Sequence, residues 1–221
     1  MRPVTFAEAV DRIRAALSVR SPEVLEVPGF RPAAVLVPIL HRPAGPTLLF
    51  TRRTERVPSH KGEISFPGGA REPGEDAVQA ALREAEEEVG LPARAAEPLG
   101  ILDDVPSVAR FVVTPVVAAV RRPPPVFRPA EFEVHEPFEL PLAALRDPAQ
   151  RRASLFDPAR LPPELAPAVR TARAAGGIRF EEEDPETGHW RVFSFHADPQ
   201  RVVWGLTARV LADLLDRAFA P

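Results

Sequence analysis

The stretch that most restricts the fold is AVQAALREAEEEV, Ala77 to Val89. Asp76 with Gln79 three residues on can cap a first helical turn, Pro73 and Gly74 hold the turn before it, and Gly90 followed by Pro92 stops it. At 100° per residue, with Glu84 at zero, Glu88 falls at about 40° and Glu87 at about 300°, so these carboxylates share an arc of about 100°. Val78, Ala81, Leu82, Ala85 and Val89 fill the neighbouring arc from about 60° to 160°. The acids therefore border the face that must be buried, while Gln79 and Glu86 lie on the far side, where a solvated residue belongs.

Like charges at i,i+4 cost an isolated helix roughly 0.2–0.5 kcal/mol per pair, and more as water is excluded. Arg83 can offset part of that through an i,i+4 pair with Glu87, but it cannot easily serve Glu84, Glu87 and Glu88 together. A hard divalent cation, Mg²⁺ or Mn²⁺, would offset the rest, since such ions prefer carboxylate, water and phosphate oxygens. A solvated acidic face is the alternative for a bare EAEEE run. Directly upstream, SHKGEISFPGG (Ser59 to Gly69) sets a basic, glycine-rich turn against the acidic helix.

Composition narrows the chemistry. The absence of cysteine removes disulfides, thiolate metal sites and cysteine nucleophiles, so any metal must sit on oxygen or imidazole. The formal charge of -3, with Lys61 as the sole lysine, gives no global basic field for nucleic acid. No apolar run approaches a membrane span, and Met1 to Arg20 is charged throughout, unlike a signal peptide. The expectation is a cytoplasmic protein with no nucleic-acid or membrane partner.

Along the 221 residues, TFAEAVDRIRAALSVR reads as an outer helix with a Thr5/Glu8 capping box. Ala33 to Leu40 reads as a mostly buried strand with TLLFTRRT as its hairpin partner, and LGILDDV and RFVVTPVVAAV as two more strands. EFEVHEPFELPLAAL reads as a strand running into a helical turn. GIRFEEE and HWRVFSFHA read as a hairpin about DPETG, and GLTARVLADLLDRAF as a last helix burying Val210, Leu211, Leu214, Leu215 and Ala218. Asp147 to Gly177, rich in Pro, Ala and Arg, gives no readable element. Elements interleave without regular βαβ alternation, which favours an α+β sandwich with a mixed sheet. The division expected is an N-terminal helix and linker over 1–30 and one domain over 31–221.

Gly69 to Leu91, GAREPGEDAVQAALREAEEEVGL, resembles the signature of the Nudix hydrolases: Gly69, Glu75, Arg83, Glu84, Glu87, Glu88, Gly90 and Leu91 all fall in place, with Ala85 smaller than the usual aliphatic residue. The resemblance implies an α/β/α sandwich, here with an added N-terminal helix and a C-terminal hairpin and helix. It implies hydrolysis of a diphosphate linked to another moiety, with Mg²⁺ or Mn²⁺ on Glu84, Glu87 and Glu88, one of which could instead act as general base. Arg83 would orient the acids with Glu75. Glu133 and Glu136 lie where many members draw a further metal ligand or base.

LFTRRTERVPSHKGEISFPGG, Leu49 to Gly69, is similar to the extended signature of the coenzyme A pyrophosphatase branch, matching at Leu49, Thr51, Arg53, Gly62, Phe66, Pro67, Gly68 and Gly69. Phe50 and Thr54 depart mildly; Pro58 replaces an arginine that could bind phosphate, a place that Arg56, His60 or Lys61 could take. This resemblance covers about Pro32 to Leu215 and implies cleavage of CoA or its derivatives to 3',5'-ADP and 4'-phosphopantetheine. Arg52, Arg53, His60 and Lys61 would form an anion cradle, with the backbone N–H groups of Gly68 and Gly69. ADP-ribose, NADH or a nucleoside triphosphate would be the alternative substrates, a nucleotide-sensing protein without turnover the alternative role, and a homodimer stays open.

Overall fold

A computed structural model describes residues 2–54, 62–160, 163, 165–175 and 187–220. In chain order the elements are α1 (Phe6–Ser18), β1 (Arg31–Leu40), β2 (Thr47–Arg53), β3 (Ile64–Ser65), β4 (Gly68–Ala70), α2 (Ala77–Val89), β5 (Glu97–Ile101) and β6 (Val105–Pro106). Then come β7 (Phe111–Val120), β8 (Val134–Pro141), α3 (Leu142–Leu145), β9 (Arg151–Phe156), α4 (Ala166–Ala174), β10 (Trp190–Asp198), β11 (Arg201–Trp204) and α5 (Gly205–Phe219). The result is α+β, a mixed sheet with helices on both faces.

The sheet is built around β1 and β7, which pair in parallel without a break from Arg31↔Phe111 to Leu40↔Val120. Both strands read as near-continuous apolar runs because both of their faces are covered. Successive side chains alternate between two cores. Leu36, Leu40, Val116, Ala118 and Val120 turn toward α2, whereas Val37, Ile39, Val117 and Ala119 join the core that contains α1 and α5 residues.

On its other side β1 changes partners along its length. Its second half pairs with β2 (Ile39↔Leu48), and its first half with β4 (Ala34↔Gly69, Val35↔Gly68), both antiparallel. The switch falls at Leu36, whose N–H donates to Pro67 O at 2.8 Å. This split lets a short glycine strand enter the sheet directly beneath α2.

Both expected capping boxes are present: Glu8 N–H donates to Thr5 Oγ1 at 3.2 Å, and Gln79 N–H to Asp76 Oδ1 at 2.8 Å. Gly90 ends α2 in the left-handed region, φ 68°, its N–H donating to the carbonyls of Ala85 and Glu86.

Two expectations need correction, and a third falls outside the described residues. The LGILDDV strand stops at Ile101, because Asp103 and Asp104 turn away to hold the N-terminal linker: Arg20 grips both oxygens of Asp103 at 2.8 and 2.5 Å, and Asp104 Oδ2 accepts from Leu25 N–H at 3.0 Å. The hairpin partner expected for HWRVFSFHA, Gly177 to Glu183, lies outside the described residues. The described partners of β10 are β11 and β9, the latter in a stretch with no strand signal, since four of its six side chains are exposed. In α5, Val210, Leu211, Leu214 and Leu215 are buried as expected, but Ala218 is only partly so.

Candidate active site

The acids of α2 differ sharply in environment. Glu88 is 4 % exposed, seated among Ala81, Ala85 and Val89 on the buried face itself rather than at its border. Its Oε2 accepts from Gly68 N–H at 3.1 Å, and among the described residues its nearest cation is Arg53, whose Nη1 stands 4.0 Å from Oε1. Burial raises the Glu88 carboxyl to about 7, helped by the negative charges of Glu84 and Glu133 and only partly countered by Gly68 N–H and Arg53. Glu84 is half-buried and also raised: burial acts first, Arg83 pulls back, and Glu87 and Glu133 push upward again. Glu87 is exposed and turned to solvent.

Arg83 gathers what it can reach. Its Nε and Nη2 hold Glu75 at 2.8 and 3.1 Å, and its Nη1 donates to Glu84 at 2.9 Å and to Glu87 at 3.1 Å. A further bond, Nη2 to Ala70 O at 3.1 Å, ties the guanidinium to the glycine strand. The hydrogen bonds from Arg83, joined by one from Glu72 N–H, depress the Glu75 carboxyl to about 2 and raise Arg83 itself. Of Glu84, Glu87 and Glu88, the last is the one that this arginine is not hydrogen-bonded to.

The glycines of β4 are shaped to these carboxylates. A Cβ on Gly69 would stand 2.5 Å from the Glu84 carboxyl carbon, so Glu84 rests on the bare Cα. A Cβ on Gly68 would meet backbone, Ala34 O at 2.4 Å and Val35 Cα at 2.6 Å. Neither glycine is used for an unusual φ; both are used for close approach.

The anion cradle is only partly assembled among the described residues. Arg52 and Arg53 are consecutive on β2 and therefore face opposite sides of the sheet. Arg53 turns to Glu88, its buried Nε without a hydrogen-bond partner among the described residues. Arg52 instead lies 4.0 Å from Glu136, its register partner on β8. Glu136 is gripped by Arg201 at 3.2 and 3.1 Å on that same far side, whereas the charge of exposed Glu133 bears on Glu84 and Glu88. His60 and Lys61, together with Arg56 and Pro58, lie outside the described residues.

Sequence reasoning missed a cavity of about 620 Å³ that opens beside this strand. Gly68, Gly69 and Arg53 line it, together with the N-terminal halves of β1 and β7, the residues around Val108, α4, β10 and the start of α5. Trp204, directly before the last helix, is 54 % exposed and lines this cavity. No sequence signal marks the cavity, because its walls come from segments far apart in the chain.

Among the described residues no three His, Asp or Glu side chains converge into a closed metal cage. The donors on α2 are nonetheless all carboxylate oxygens, one of them buried with no cation closer than 4.0 Å among the described residues. That fits a Mg²⁺-type ion, which keeps several waters and takes substrate phosphate oxygens in place of a full protein cage.

Comparison with known proteins agrees with this geometry. The NUDIX domain family matches residues 30–158, more than half of the chain, and the protein belongs to that family. An Escherichia coli K12 protein described as the uncharacterized Nudix hydrolase NudL is 49 % identical over 115 residues, 51 % of this chain and 58 % of that protein. NudL of Shigella boydii is similar to the same extent. The chain thus spans little more than half the length of these relatives. Among solved structures, a Nudix hydrolase from M. smegmatis, RenU, is 24 % identical over 67 % of this chain and 87 % of that one, with a TM-score of 0.45.

Proposed function

We propose that the protein is a metal-dependent hydrolase of diphosphate linkages, and that its substrate is CoA or a CoA derivative, cleaved to 3',5'-ADP and 4'-phosphopantetheine. The observation that carries the reading is the seating of Glu84 and Glu88 against the glycine strand, Glu84 on the Cα of Gly69 and Glu88 on the N–H of Gly68. Two acids held that close to bare backbone leave room for phosphate oxygens alongside them.

Glu84, Glu87 and Glu88 would hold Mg²⁺ or Mn²⁺, which screens the phosphate charge and acidifies the attacking water. Arg83 keeps Glu84 and Glu87 aimed while Glu75 fixes Arg83. One of the α2 acids, or Glu133 across from them, takes the proton of the attacking water. Arg53, on the same side as Glu88, and the backbone of Gly69 bind the diphosphate, while the Gly68 N–H holds Glu88 in place beside them; His60 and Lys61 remain candidates for the CoA 3'-phosphate. Arg52, paired with Glu136 on the opposite face, is set aside from the cradle. No covalent protein intermediate is needed, in keeping with the absence of cysteine.

Support for CoA comes from the stretch Leu49 to Gly69, where Arg53, Phe66, Pro67, Gly68 and Gly69 match the extended signature. The test is a panel of CoA, ADP-ribose, NADH and a nucleoside triphosphate with Mg²⁺ and with Mn²⁺, products resolved by chromatography. CoA should turn over fastest; turnover of ADP-ribose without CoA would overturn the substrate assignment.

A further inference from the structure

The cavity beside the glycine strand is larger than a close-packed interior leaves by accident. At about 620 Å³ it falls within the roughly 300–1,000 Å³ of sites that enclose small molecules. Its lining includes Arg53, Gly68 and Gly69 of the candidate active site, the charged Glu63, Arg191 and Arg209, and a larger apolar share to which α4 contributes Ala168, Val169 and Ala172, all buried. These three recur at helical spacing on one face of α4, and Val35 of β1 and Phe193 of β10 also line the space.

We infer that this cavity is a specificity pocket for an apolar group carried on the non-nucleotide arm of the diphosphate substrate, and that α4 sets the length it accepts. The inference rests on the proposed function and deepens it: for a CoA substrate the group is the acyl chain of a thioester. The occupant follows from continuity. A diphosphate held by Arg53 beside Gly68 and Gly69 would border this cavity, whose mostly apolar lining rewards an apolar continuation of the same molecule. The Pro- and Ala-rich segment that gave no sequence signal thereby acquires a role, since α4 stands within it and lines the cavity.

Each methylene taken into such a pocket should raise kcat/KM by roughly fourfold until the chain meets α4. The experiment compares CoA, acetyl-CoA, butyryl-CoA and octanoyl-CoA as substrates of the wild-type protein and of Ala172→Phe. The same four compounds are titrated in chelator, following the fluorescence of Trp190 and Trp204, the only tryptophans, both of which line the cavity.

The octanoyl-to-acetyl ratio of kcat/KM should exceed tenfold in the wild type and collapse in Ala172→Phe, with the Kd series following the same order. A flat wild-type series in both turnover and Kd overturns the pocket, whatever the variant does. If none of the four is hydrolysed but octanoyl-CoA still binds at least tenfold tighter than CoA, the reaction assignment fails and the pocket stands.

Discussion

Gly69 and Glu84 are in contact through an absent side chain: the Glu84 carboxylate occupies the space that a Cβ on residue 69 would fill, 2.5 Å from its carboxyl carbon. The neighbouring Gly68 faces rigid backbone instead, Ala34 O at 2.4 Å. Gly69→Ala should therefore displace a movable carboxylate, lowering kcat on the order of tenfold or more while the melting temperature falls only slightly. Gly68→Ala should instead strain the β1–β4 pairing and destabilise the fold by about 1–3 kcal/mol. Equal thermal shifts in the two variants would contradict this division.

Arg83 spans Glu75, Glu84 and Glu87 with one planar guanidinium. Lysine keeps the charge but not the fork. Arg83→Lys should lower kcat by roughly tenfold to a hundredfold with little change in melting temperature, and Glu75→Gln, which frees the guanidinium from its anchor, should give a smaller loss in the same direction. Steady-state kinetics on both variants checks the order.

Glu88 is buried among alanines, and among the described residues its nearest arginine is 4.0 Å away. In chelator, Glu88→Gln should be at least as stable as the wild type, because a buried amide costs less than a buried carboxylate. Saturating Mg²⁺ should stabilise the wild type, by about 2.7 kcal/mol at a hundred times Kd, and should do less for the variant. Thermal unfolding with and without Mg²⁺ measures both effects.

Asp103 fastens the N-terminal linker to α5. Burial alone would raise its carboxyl, but hydrogen bonds from Arg20 and Glu23 N–H and the charge of Arg217 outweigh that and hold it below the usual carboxylate range. A carboxyl depressed on folding releases its proton more readily in the native state, so its stabilisation is complete above the unfolded-state value and is lost as pH falls toward the folded one. Asp103→Asn should cost about 1–3 kcal/mol at neutral pH. It should also flatten the loss of stability below about pH 4. Urea unfolding across pH 3–7 tests this, and parallel curves for variant and wild type would count against it.

How much of this was legible follows from where each signal lies along the chain. α2 could be read to the residue because Asp76, Gln79 and Gly90 are local and the Nudix signature is contiguous. The burial of Glu88 could not, because it depends on β4 passing beneath α2, and that depends on β1 exchanging β2 for β4 at Leu36. The opposed facing of Arg52 and Arg53 was available from strand period alone, yet a cluster drawn from adjacent basic residues overlooked it. β9 escaped notice because its exposed face carries no apolar alternation, and the cavity because β1, α4 and β10 meet only in three dimensions.

The most direct measurement is turnover of CoA by the wild type, Glu84→Gln and Glu88→Gln, with Mg²⁺, with Mn²⁺ and in chelator. The wild type should yield 3',5'-ADP and 4'-phosphopantetheine only with a divalent cation. Both variants should remain folded and lose at least a hundredfold in kcat, on the order of 2.7 kcal/mol of transition-state stabilisation. Undiminished turnover in either variant, or metal-independent turnover in the wild type, would contradict the site on α2.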